Sequence, residues 1–402
     1  MAKNSFPISY VYDLAAGGNK KSGARDSVRC DCPLCGGKMS MSLSTARNIY
    51  HCFKCDEAGD SVDLFAKVKK ISNRESYAEL KKLCTAVPAE KLEKYKAVKD
   101  YEDLQIVDIY CRDGINQSLL EKLPLLEEHK SNLINRGLTV KDIEKLKYKS
   151  ISLKDSSLEY RDQLAKEIID PFRLVEGQAV PGFYDIGTDT PKICVPKEGI
   201  LIPVRTRAMK ISGFQIRYNS LPANATQQMK DSYHRYGWFT SGSKKTGTSF
   251  SGCENIHHAG NWYRITYPKV IGLTEGALKA DIASLLYDKI DPKNEHLFLG
   301  LTGVGNVSQL AEDLNAMGQL GLEEVHIFVD MDYREKPSVA RALKKIEDII
   351  TSCTYTTYDE SSNSDLKHSM RFKVMTWNSS FKGIDDYLKN YYEKMLSSAC
   401  RK

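Results

Sequence analysis

Between residues 269 and 388 one pattern recurs four times: a short β-branched or aromatic apolar run, then a stretch with helical spacing. KVIGL leads into ALKADIASLLY, HLFLGLTG into VSQLAEDLNAM, VHIFVDMD into SVARALKKIEDII, and RFKVMTW into GIDDYLKNYYEKM. Strands that alternate with helices pair in parallel, and in open sheets of that kind ligands bind beyond the carboxyl ends of the strands. Glu275, Asp330 and Asp332 fall at those ends. In an extended segment side chains alternate faces, so Asp330 and Asp332 are expected on one face with Met331 turned away. Adjacent carboxylates repel unless a cation lies between them, and such oxygen ligands suit magnesium or manganese. Lys382 and Gly383 precede the last helix, whose start carries Asp385 and Asp386, either of them a further candidate ligand.

A second constraint lies near the N-terminus, where Cys32-Pro-Leu-Cys35 and Cys52-Phe-Lys-Cys55 are separated by sixteen residues. Each pair can converge its two sulfurs on one tetrahedral ion, so Cys32, Cys35, Cys52 and Cys55 are the expected zinc ligands, with Cys30 and His51 as lesser alternatives. Five of the eleven cysteines lie between Cys30 and Cys55. In a reducing compartment that clustering favours metal over disulfides. MAKNSFPISYVYDL lacks a basic-then-apolar leader, and no apolar run approaches the roughly 18 to 20 residues needed to span a bilayer. The expected location is the cytoplasm, with no membrane partner.

Charge is uneven. Net charge is +6, yet residues 197–267 alone hold ten Lys/Arg, Arg264 among them, against three acids. A basic segment beside a carboxylate cluster points to a polyanion, with nucleic acid the leading candidate. Residues 66–150 read as helical and charged, with Arg136-Gly137-Leu138-Thr139 as a helix end, cap and restart, and Lys94, Lys96 and Lys99 as a solvated face. No chemistry is expected there. Strands and turns are expected from about 150 to 200, then a hairpin in ILIPVRTRAMKISGFQIRYNS.

The order of motifs from Glu275-Gly276 through LTGVGN (residues 301–306) and Asp330-Met331-Asp332 to KGIDDYL (residues 382–388) resembles a Toprim domain, the fold shared by DnaG-type primases, topoisomerases and some nucleases. RCDCPLCGGKMSMSL with NIYHCFKCDEAGDSVDLF resembles the zinc-binding domain of DnaG-type primases, although a cysteine stands where those relatives commonly use a histidine. Residues 203–205 and 213–217 resemble the Pro-x-Arg and Gly-Phe-x-x-Arg strands that precede the Toprim domain in that family; the likeness of HRYGWFTSGSKKTGTSF to the next basic motif is loose. YREKP after Asp332 departs from the family and looks more like phage and mobile-element forms.

The resemblance implies an α/β multidomain protein: a zinc ribbon over residues 1–75, a helical linker over 76–150, a basic β-rich segment over 151–267 and a C-terminal Toprim domain with a parallel sheet over 268–402. It implies a DNA primase that makes short RNA primers on single-stranded DNA from NTPs. The alternatives are a Toprim nuclease or a non-catalytic single-strand-binding replication protein. Glu275, Asp330, Asp332, Asp385 and Lys382 would be catalytic, the first three as magnesium ligands. Arg205, Arg207, Arg217 and Lys279 would bind triphosphate or template. Tyr50, His51 and Phe53, beside Lys38, Arg47 and Lys54, would stack template bases, with packing of the small ribbon the alternative for Phe53. No Walker-type GxxxxGK(S/T) occurs, so no built-in helicase motor is expected and a replicative helicase partner would be separately encoded; with no helicase-docking domain expected after the last helix, the family's usual basis for that contact is not expected.

Overall fold

The computed structural model describes residues 6–22, 27–45, 47–95, 104–231, 233–250, 253–260, 268–294, 296–303, 307–335, 337–359, 361 and 363–399. Lys96, Lys99, Arg264 and residues 304–306 of the glycine-containing run lie outside them. The chain forms two compact units: Met1–Gln105 with Leu221–Tyr233 and Ser241–Ser249, and Ile106–Ser220 with His234–Thr240 and Phe250–Lys402.

In the first unit, helix α1 (Ile8–Ala15) accompanies an antiparallel five-stranded sheet in sequential order: β1 (Lys20–Ser22), β2 (Ser27–Cys30), β3 (Met41–Ser44), β4 (Ile49–Cys52) and β5 (Ala58–Asp60). Alternation along β3 and β4 buries Met41, Leu43, Tyr50 and Cys52, which join Ile8, Tyr12 and Leu64 in a small core. Asp60 then starts α2 (Ser61–Lys69) with a capping box: its Oδ1 accepts from the Val62 and Asp63 amides, while Asp63 Oδ2 accepts from the Asp60 amide. Ser72 does the same for α3 (Asn73–Thr85).

The second unit carries two sheets. The first has the order β9-β8-β7-β6, all antiparallel, from β6 (Lys149–Ile151), β7 (Gly199–Arg205), β8 (Ile211–Tyr218) and β9 (Tyr236–Trp238). The second has the order β10-β12-β11-β13-β16, from β10 (Ile256–His258), β11 (Val270–Glu275), β12 (Phe298–Leu301), β13 (Glu324–Phe328) and β16 (Arg371–Val374). The four strands expected from the repeat, β11, β12, β13 and β16, pair in parallel; β10 adds an antiparallel edge. Helices α9 (Leu310–Gly318) and α10 (Pro337–Ser352) follow β12 and β13. The hairpin β14 (Thr354–Asp359) and β15 (Ser364–Ser369) is inserted before β16 and was not legible in the repeat.

Three expectations are corrected. Residues 106–150 are not a linker: in α4 (Ile109–Lys122), α5 (Glu127–Asn135) and α6 (Val140–Leu146), side chains such as Ile115, Leu119, Leu133 and Ile143 are buried in the second unit's cores. Most of the basic segment shares that unit with the parallel sheet, while its Leu221–Tyr233 and Ser241–Ser249 belong to the first unit, so the boundaries set at 75/76, 150/151 and 267/268 do not divide the structure. Residues 150–200 are not all strands and turns. Ser157 caps α7 (Leu158–Ile169), whose Leu164, Ala165, Ile168 and Ile169 form one buried helical face.

Among the described residues no helix is long and apolar enough to cross a membrane.

Candidate active site

Helix α8 (Ala277–Ile290) follows β11 without a linker, and the turn depends on Gly276 at φ 92°, a conformation that L side chains rarely adopt. The Gly276 amide donates to the Leu301 carbonyl at the end of β12, and Thr274 Oγ1 donates to the Phe328 carbonyl at the end of β13. These bonds fix three carboxyl ends level with one another. The Met331 amide donates to the Lys382 carbonyl, which ties the loop after β13 to the turn before α11 (Ile384–Ala399).

A cleft of about 450 Å³ opens there. Its acids are Glu275, Asp330, Asp385 and Asp386, and its cations are Arg136, Arg217, Arg235, Lys279 and Lys382; Gln215, Tyr236 and Thr302 complete the polar lining. Asp330 is nearly buried, with one carboxylate oxygen bonded to Lys279 Nζ and the other 3.6 Å from Lys382 Nζ. Lys382 Nζ also lies 3.2 Å from Asp332 Oδ2. Burial disfavours charge on Lys279, but Asp330, Asp385 and Glu275 outweigh it and hold its ammonium above the usual lysine range. Asp385 Oδ2 pairs with Arg136, while Oδ1 is buried with no hydrogen-bond partner among the described residues. Burial raises the Asp385 carboxyl, opposed by Arg136 and Lys279.

The structure thus brings Glu275, Asp330, Asp385, Lys279, Lys382 and Arg217 to one cleft. Asp332 lies just outside its lining and is joined to it through Lys382. Asp330 and Asp332 do not alternate along a strand: β13 ends at Phe328 and Met331–Arg334 is a 3-10 turn. Nor do Glu275, Asp330 and Asp332 close into a metal-sized cluster; lysine ammoniums occupy the carboxylates of Asp330 and Asp332.

Two arginines expected at the site are elsewhere. Arg205 is 4% exposed, donates to the Leu146 carbonyl and lies 3.9 Å from the buried Asp281. Arg207 sits exposed in the turn between β7 and β8, outside the cleft lining. Sequence reasoning missed Arg136, which it read only as a helix end. It also missed Arg235, which lay in HRYGWFTSGSKKTGTSF, whose likeness to the family's next basic motif was too loose to single it out.

In the first unit the Sγ atoms of Cys32, Cys35, Cys52 and Cys55 all lie within 4.8 Å of one another, with Cys32–Cys55 at 3.9 Å and Cys35–Cys52 at 3.8 Å. Zn–S bonds of about 2.3 Å in a tetrahedron place sulfurs about 3.8 Å apart, so the set fits zinc. Burial raises the Cys52 thiol, but the Ser40 hydroxyl and the Cys55 and Lys54 amides more than offset it, lowering it to about 6. Cys30 is buried outside this set, and His51 pairs with Asp56 at 2.8 Å. Tyr50, expected to stack bases, is a core residue instead. Phe53 is 56% exposed, with the Arg29 guanidinium 4.2 Å above its ring and His51 edge-on at 4.7 Å.

Residues 19–96 match the DnaG zinc-ribbon family, described as the CHC2 zinc finger. Among solved structures the chain is similar to the Aquifex aeolicus primase zinc-binding and RNA polymerase domains, at 14% identity over 98% of this chain and 83% of that one, TM-score 0.43. It is also similar to the primase fragment of the bacteriophage T7 primase-helicase protein, at 12% identity over 92% and 97%, TM-score 0.34. The E. coli primase catalytic core gives 14% identity over 72% and 78%, TM-score 0.39. No curated protein matches the chain by sequence.

Proposed function

We propose that this chain, which carries the zinc ribbon of the DnaG-type primases and so belongs with that family, is a primase that joins nucleotides into short RNA on a single-stranded DNA template. The observation that carries the reading is the convergence of Glu275, Asp330, Asp385 and Asp386 with five Lys/Arg side chains in one cleft at the carboxyl ends of parallel strands. Phosphoryl transfer needs little covalent chemistry from a protein. It needs anionic oxygens to hold a divalent cation and cations to hold phosphates, and both line this cleft.

The donor set suits magnesium or manganese: hard carboxylate oxygens, one of them Asp385 Oδ1, buried and without a hydrogen-bond partner among the described residues. Glu275, Asp330 and Asp385, with Asp332 at the edge, would hold such an ion, which when bound neutralises charge on a reacting triphosphate. Arg217 and Arg235 project from or beside β8 and β9 toward the same space, where guanidiniums bind phosphate oxygens in pairs. Arg217 Nη1 is steadied by the Tyr236 hydroxyl at 3.0 Å. Gln215 Nε2 donates to the Thr302 carbonyl at 2.7 Å and so fixes β8 against the end of β12. In the first unit, Phe53 with Arg29 offers an aromatic face and a positive charge to a single strand. Cytoplasmic action and a separately encoded replicative helicase partner are part of the same proposal.

The test incubates full-length protein with single-stranded DNA, labelled NTPs and magnesium or manganese, comparing wild type with Asp330→Asn and Asp332→Asn. The expected result is short RNA from wild type and a loss of orders of magnitude in Asp330→Asn, with single-strand affinity retained. Equal RNA from all three would refute the assignment, and degradation of the DNA without RNA would favour a nuclease.

A further inference from the structure

Both oxygens of Asp330 are engaged by lysines from different parts of the chain. Lys279 reaches one from the first turn of α8, and Lys382 reaches the other from the turn before α11 while also contacting Asp332. Two ammoniums and two carboxylates therefore form a neutral cluster at the place where a dication would bind. A magnesium ion entering it must compete with a partly buried ammonium, and any ion bound beside that ammonium is repelled by it. Three more cations, Arg136, Arg217 and Arg235, line the same cleft.

We infer that Lys279 and Lys382 act as a clamp that keeps Asp330 closed to divalent metal until a triphosphate draws their ammoniums away. The triphosphate's charges are the natural partners for both lysines once it enters. Lysine is suited to this exchange because its ammonium is a compact point charge on a four-carbon stem, free to swing from one anion to another. Lys382, with a side chain 58% exposed, moves first, and Lys279, 19% exposed, follows. Each lysine thereby has two roles, blocking metal in the resting site and holding phosphate in the loaded one. By linkage, whatever factor the triphosphate contributes to metal affinity the metal returns to triphosphate affinity. The inference rests on the primase reading for the identity of the triphosphate, but the clamp itself concerns metal alone.

The test measures Mn2+ binding to the full-length, zinc-loaded protein by electron paramagnetic resonance, with no nucleotide present. Lys279→Met should bind Mn2+ at least tenfold more tightly than wild type, and Lys382→Ala several-fold more tightly. Adding Asp330→Asn to either should remove the gain. Because Lys279 is partly buried, Lys279→Gln and the thermal midpoint accompany it, and Lys382→Ala at an exposed position stands as the independent arm. Unchanged or weaker Mn2+ binding in folded Lys382→Ala and in a folded Lys279 variant would overturn the clamp. Primer synthesis by wild type separates the two ideas. RNA made without any Mn2+ gain in the variants defeats the clamp and leaves the function standing, whereas a gain in a protein that makes no RNA does the reverse.

Discussion

Asp281→Ala should cost the second unit much of its stability, because of what the carboxylate holds. Asp281 is fully buried on α8 and accepts from the Tyr148 hydroxyl at 2.6 Å, the Gly260 amide at 2.6 Å and His257 Nε2 at 3.1 Å. His257 Nδ1 accepts from the Arg205 amide at 3.2 Å, which fixes the tautomer with its proton on Nε2. The Arg205 guanidinium lies 3.9 Å from Asp281. Truncation orphans three buried donors at about 1 kcal/mol or more each and leaves a buried guanidinium without its counter-charge. Together these give about 3–5 kcal/mol, the range for removing one partner of a buried ion pair. Native domains have only about 5–15 kcal/mol in total. Urea unfolding followed by tryptophan fluorescence reads this unit selectively, because Trp238 and Trp377 belong to it and the first unit's sequence has no tryptophan. A loss below about 1 kcal/mol at unchanged m-value would refute the argument, since buried donors must then have found other acceptors.

The same cluster sets a pH dependence. Burial, aided by Arg205 and His258, lowers the His257 pKa against the pull of Asp281, so the unfolded chain takes up a proton that the folded one refuses. Stability of the second unit should fall as pH drops below about 6.5, and His257→Gln should flatten that slope in urea titrations from pH 7.5 to 5.5. Asp281, lowered by His257, Arg205 and Tyr148 despite its burial, adds a further loss below about pH 3.9. Elemental analysis should find about one zinc per wild-type chain and none in Cys52→Ser, whose ribbon should lose cooperative unfolding; full retention would exclude the four-cysteine site. Arg217→Ala should reduce the log–log salt slope of single-strand binding by about 0.7, one phosphate contact, and an unchanged slope would remove this residue from the interface.

The parallel sheet was legible because each of its strands is a short apolar run bounded by a helix with 3.6-residue spacing, and the zinc set because Cys-x-x-Cys pairs constrain geometry locally. Glu275 and Asp330 were legible for the same reason, as acids ending apolar strands. The rest depended on tertiary neighbours. Arg205 and Arg217 look alike in the sequence, one residue from an apolar neighbour on each of two paired strands. A bulge after Val204 and the packing of β7 turn the first into the core, while the second reaches the cleft. The strand reading of Asp330-Met331-Asp332 failed because the backbone leaves the sheet two residues earlier. Arg136 gave no signal, since a basic residue at a helix end is ordinary helix-dipole chemistry. Only its meeting with Asp385, 249 positions away, reveals another use.

That separation has a consequence for how the protein is made. The cleft draws on Arg136 near one end of its sequence span and on Asp385 and Asp386 at the other, and Lys389 Nζ bonds the Asn135 carbonyl across a similar distance. Closing so long a loop costs entropy before any contact repays it, so these pairings form late. On the ribosome the ribbon, with its four sulfurs inside twenty-four residues, can take its metal while the second unit is still incomplete. The cations of the cleft at positions 136, 217 and 235 emerge well before Asp385, so a nascent chain shows a positive surface before the acids that complete the site exist. Until α11 docks, the cleft can attract a polyanion while its set of carboxylates is still incomplete.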